Sequence, residues 1–159
     1  MWTASAARER ADTLFDRLVE NWEKVGDDMP PLGFLFHTYD DGSDVCSLIS
    51  DVGQYPKEVV PDFLRSIADI TEASFVGYSG CAYVVCDLTQ EAAKAWLAGG
   101  RSLSEHPNAV DSLMLTVDGP GLSIMYRAWQ SGGTVQREVT EGDAHEGRFT
   151  NLSGRMGEN

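Results

Sequence analysis

Three histidines, His37, His106 and His145, and three cysteines, Cys46, Cys81 and Cys86, are the side chains that can move protons or attack near neutral pH. His37 stands in an alternating stretch just ahead of Asp40. A general base working with a nearby carboxylate or cysteine is therefore the reaction chemistry this arrangement allows. Among the cysteines, Cys86 closely precedes a predicted helix, the setting that lowers a thiol pKa and makes a nucleophile. The plainer readings are a half-buried histidine bonded to the backbone and a small core cysteine, and nothing in the spacing overrides them.

Other chemistries find less support. Asp40, Gly42, Asp44 and Asp51 fall near calcium-loop spacings, but the sixth position is Val45 rather than glycine, and strands rather than helices are predicted to flank it. An acidic hairpin turn is the better description. No two histidines have metal-ligand spacing, and the cysteines match no zinc or redox motif. Gly77, Gly80, Gly99 and Gly100 form no phosphate-binding loop, and no nucleophile-elbow pattern occurs. The expectation is no metal, no cofactor and no disulfide.

The elements that would carry these residues are clearer. In residues 111–139, Leu113, Leu115 and Val117 alternate with Met114 and Thr116 and run into a turn at Asp118, Gly119, Pro120 and Gly121. Leu122, Ile124, Tyr126 and Ala128 then alternate with Ser123, Met125, Arg127 and Trp129, and a break at Gly132 and Gly133 leads to a third strand. Residues 5–25 place Ala11, Leu14, Phe15, Leu18, Trp22 and Val25 at helical steps. Residues 33–39 and 45–50 read as a hairpin, with the first strand apolar on both faces. Residues 56–72 read as a helix that becomes regular at Pro61. Residues 75–79 and 82–87 read as strands, separate or continuous through Gly80, and residues 90–98 as a helix capped by Thr89. The sum is an α+β domain: one mostly antiparallel sheet of about six or seven strands, ending in a three-strand meander, with about three helices packed on it. One domain is expected over residues 1–140, followed by a flexible acidic, glycine-rich tail over 141–159.

Composition bears on function. The net charge of −13 repels phosphate backbones and anionic lipid, so neither nucleic acid nor membrane is an expected partner. No apolar run nears the ~20 residues of a membrane helix, and the start lacks the pattern of a secretory signal, so the expected location is the cytoplasm. Met125, Arg127 and Trp129 share the strand face opposite the expected core. One of the helices covers that face, or else the composition suits a partner-binding patch, most simply the contact of a symmetric homodimer. The functional expectation is a non-catalytic acidic binding or regulatory protein acting through protein contacts, with a basic protein as the charge-matched partner. The alternatives are a small enzyme built on His37 with a carboxylate or cysteine, and a structural or assembly subunit.

Overall fold

A computed structural model of the chain describes residues 1–85 and 88–142. The elements are helix α1 (Ala4–Val25), strands β1 (Leu32–Thr38) and β2 (Asp44–Ile49), helix α2 (Val60–Thr71), strand β3 (Phe75–Val84), helix α3 (Gln90–Ala98) and strands β4 (Val110–Gly119), β5 (Leu122–Ser131) and β6 (Thr134–Glu141). Short 3-10 turns occur at Gly26–Asp28, Asp51–Gln54 and Leu103–Glu105. The six strands form one open sheet in the order β2-β1-β3-β4-β5-β6, and every neighbouring pair is antiparallel. Of the two readings at Gly80, separate strands or one continuous strand, the structure has the second: β3 runs through Gly80 and pairs with β4 from Val76 to Val84.

Strand alternation sorts side chains onto two faces, and each face meets a helix. On one side, α1 lays Ala7, Ala11, Phe15, Leu18, Val19 and Trp22 against Phe36, Phe75, Leu115, Val117, Ile124 and Tyr126. On the other, Val60, Leu64 and Ala68 of α2, with Val52, cover Leu35, Val76 and Tyr78. β1 is thus buried from both sides, which is why Phe34, Leu35 and Phe36 are all apolar. Each fully buried side chain of this size contributes about 1.5 to 3 kcal/mol by leaving water. The two clusters are the stabilising mass of the fold.

Local chemistry sets the helix ends. The Thr3 hydroxyl accepts from the Ala6 N–H at 3.0 Å to start α1, and Gly26, at φ 58°, lets the chain leave it. α3 begins where the Thr89 hydroxyl accepts from the Ala92 N–H at 3.2 Å. It buries no residue of its own. Instead the Trp96 indole donates to the Ser102 carbonyl at 2.7 Å, with the Arg101 guanidinium 3.6 Å above the ring and His106 beside it. The Leu103–Glu105 turn links this small unit to β3. Among the described residues no helix is long and apolar enough to cross a membrane. β6 extends through Glu141, which pairs with Arg8 of α1. Of the tail expected over 141–159, Glu141 belongs to β6, and residues from 143 on, with Cys86 and His145, lie outside the described residues.

Candidate functional site

The β1–β2 hairpin presents His37 on the same face as Leu35 and Tyr39, next to Val45 and Ser47 of β2. The ring is half-buried. Its Nε2 lies 2.6 Å from Ser47 Oγ, and Tyr39 meets it edge-on with centroids 5.2 Å apart. The expected partners are elsewhere. Asp40 stands in the exposed turn, and Cys46 points to the opposite face, into the α1 core. Burial pushes the Cys46 thiol up to about 11 and raises Cys81 as well, so neither is a thiolate nucleophile at neutral pH. His37 is therefore joined to a hydroxyl instead of a carboxylate or cysteine. A serine nucleophile with its base has this first contact, but the unit also needs a group that orients the base. Among the described residues no carboxylate hydrogen-bonds His37.

The hairpin turn uses its acids structurally. The Asp41 carboxylate accepts from the Ser43 N–H at 2.9 Å, and that bond holds Asp41 below the ordinary carboxylate value. Asp44 accepts from the Thr38 hydroxyl at 2.8 Å and meets the Met1 ammonium at 3.1 Å; the hydroxyl first, then the N-terminus, lowers its pKa. These are the bonds of a closed turn. Among the described residues no group of three or more His, Cys, Asp or Glu is arranged to hold a metal ion.

A second titratable group joins residues that no local pattern links. Asp27, in the turn after α1, comes close to Asp111 at the start of β4, and Tyr83 of β3 stands opposite Asp111 in the sheet. Burial first, then the neighbouring Asp27 carboxyl, push the Asp111 carboxyl above its ordinary value, while Tyr83 opposes them. Two carboxylates this close repel when both are charged, so Asp111 holds its proton more tightly than an isolated carboxyl does. A separate cleft of about 570 Å³ lies where α1 begins, lined by Met1, Trp2, Thr3, Glu72, Phe75 and Pro120. It contains neither His37 nor the carboxyl pair.

The proposed patch on β5 is placed as follows. Met125 is buried at 4% exposure, and Arg127 and Trp129 are half-buried. The Arg127 guanidinium lies over Met125, with Nε 3.3 Å from the thioether sulfur. Met125 is thus a packed residue, and what remains toward solvent is the arginine and part of the indole. His106 sits far from these groups in sequence and accepts from the Asn108 N–H through Nδ1 at 3.1 Å. Sequence reasoning missed Ser47, Asp27, Asp111 and Tyr83. Ser47 was recoverable from the hairpin register; the carboxyl pair had no sequence signal.

No protein-family model, curated protein or solved structure matches this chain.

Proposed function

We propose that the chain is a non-catalytic binding or regulatory protein that works through protein contacts, with a basic protein surface as its partner. One observation carries this reading. Of the carboxylates among the described residues, Asp118 is the one that is buried, so the described acids, most of those behind the net charge of −13, stand almost entirely at the surface. A surface field of that sign speeds encounter with cationic patches and repels phosphate backbones. The free thiols of Cys46 and Cys81 suit a reducing, cytoplasmic setting. The His37–Ser47 pair, to which no carboxylate is bonded among the described residues, gives less support to an enzyme.

The test is capture from native lysate on the immobilised full chain, at low ionic strength and again at about 0.15 M salt, where the screening length is ~8 Å. Basic proteins retained at low salt and released as salt rises support the proposal, provided a cationic polypeptide competes for them. Retention of no basic protein at low salt overturns it.

A further inference from the structure

The sheet is open, so its outer strands β2 and β6 each present a row of unpaired backbone groups. The two edges differ in chemistry. β6 carries Arg137, Glu138 and Glu141, with Arg137 bound to Asp16 at 2.6 Å and Glu141 to Arg8. Charges of this kind discourage a further strand. In β2 the charge ends at Asp44, which the Met1 ammonium meets at 3.1 Å. Val45, Cys46, Ser47, Leu48 and Ile49 follow with no charge, no proline and no bulge in their pairing with β1. Leu48 is 59% exposed beside that edge. On a chain of net charge −13 like-charge repulsion opposes self-contact, and this strip carries no charge of its own.

The hairpin fixes which backbone groups face outward. The Tyr39 N–H donates to the Ser43 carbonyl at 2.9 Å, so Tyr39 opposite Ser43 is a hydrogen-bonded pair. Alternation then turns the groups of Val45, Ser47 and Ile49 toward β1 and those of Asp44, Cys46 and Leu48 toward solvent. A copy added across a two-fold axis perpendicular to the sheet keeps both faces matched, so residues of the same parity must oppose each other.

We propose that β2 pairs antiparallel with β2 of a second copy about an axis through Ser47, making one continuous twelve-stranded sheet from two six-stranded ones. In this register Val45 opposes Ile49 and Cys46 opposes Leu48 on both sides of the axis, and the outward groups of Cys46 and Leu48 bond reciprocally. Moving the axis to Cys46 sets Asp44 against Leu48. Moving it to Leu48 sets Ile49 against Ser47 and Val45 against Asp51. The Ser47 axis alone matches apolar with apolar along the strand. It also brings the two Ser47 residues together as a non-hydrogen-bonded pair, with Cα atoms about 4.5 Å apart. Each hydroxyl, already joined to its own His37 at 2.6 Å, has capacity left for the other. The contact follows a six-residue strand of about 20 Å, shorter than a standard interface needs, so the dimer is reversible.

The test is sedimentation equilibrium of the full chain over about a hundredfold concentration range, where a monomer–dimer equilibrium is expected. Leu48→Lys puts a charge at an exposed position and should raise the dimer dissociation constant at least about tenfold with an unchanged circular dichroism spectrum. The register is read by oxidation. With Cys46, Cys81 and Cys86 replaced by serine, Ser47→Cys should cross-link two chains, while the unsubstituted chain should not cross-link through Cys46. A chain monomeric at every concentration overturns the proposal. So does a dimer that ignores Leu48→Lys, or one that cross-links through Cys46 and not through position 47.

Discussion

The hydroxyl of Tyr126, in the middle of β5, donates to the carboxylate of Asp12 on α1, and the Tyr126 ring lies against Phe15 with centroids 5.0 Å apart. A buried phenol needs a partner for its O–H, and Asp12 supplies one at the rim of the core. The bond fixes how far α1 slides along the sheet. Tyr126→Phe should cost about 1 to 2 kcal/mol in urea unfolding, the range of a hydrogen bond to a charged group with one partner exposed. Asp12→Asn should cost less, and the double variant less than the sum. Burial, then the Asp12 hydrogen bond and charge, raise the Tyr126 pKa above its ordinary value of 10.0. Stability from this residue is therefore fully present below pH ~10 and is lost as pH rises beyond it, and Tyr126→Phe should flatten that alkaline slope.

The β4–β5 turn depends on Gly119. A Cβ there would stand 2.2 Å from the Phe75 ring and 2.5 Å from the Ser74 carbonyl oxygen. Phe75 is fully buried under α1 and cannot swing away, so the turn or the strand end must shift. Gly119→Ala is expected to cost at least about 2 kcal/mol, toward the upper end for overpacking. An unchanged melting temperature would show that the turn moves freely.

Glu72 closes α2 in the left-handed region at φ 55°, with its N–H directed to the carbonyls of Ala68 and Asp69. Its side chain is exposed, so the conformation is maintained by the cap and the buried Ala73 that follows. Glycine adopts this φ without the Cβ clash but loses more chain entropy on folding. Glu72→Gly should stabilise by about 0.5 to 1 kcal/mol, read as a higher denaturant midpoint at unchanged slope.

What was legible in the sequence was what repeats within one element. The steps Ala11, Phe15, Leu18 and Trp22 set the buried side of α1, and the alternation of Leu122, Ile124 and Tyr126 set the core face of β5. Alternation also placed Met125 on the other face. It could not say how well that face is covered, because cover comes from other parts of the chain, and Met125 is buried. Gly80 left open locally whether one strand or two pass through it, and pairing with Met114 carries β3 straight through. At the candidate site, His37 was legible as a sheet residue, but its partner depended on hairpin register, which turns Ser47 toward it and Cys46 away. The Asp27–Asp111 contact depends on α1 ending over the start of β4, a tertiary fact with no local imprint.

That contact makes stability depend on pH. Asp111 is held above its ordinary pKa of 3.8, so the folded chain binds this proton more tightly than the unfolded chain does. Unfolding then releases a proton, and the contribution of this group falls as pH rises from about 3.8 through the folded pKa. At neutral pH the charged pair opposes folding. Asp111→Asn removes one charge and keeps an acceptor for Tyr83, so its melting temperature should exceed that of the parent chain at neutral pH. The difference should close as pH falls into the carboxylate range, where the parent becomes neutral at this site. Asp41 and Asp44 slope the other way, because their lowered pKa values make them stabilising above the ordinary value. Only the difference between variant and parent isolates Asp111. A variant less stable than the parent at neutral pH would mean that the bonds to the charged carboxyl outweigh repulsion from Asp27.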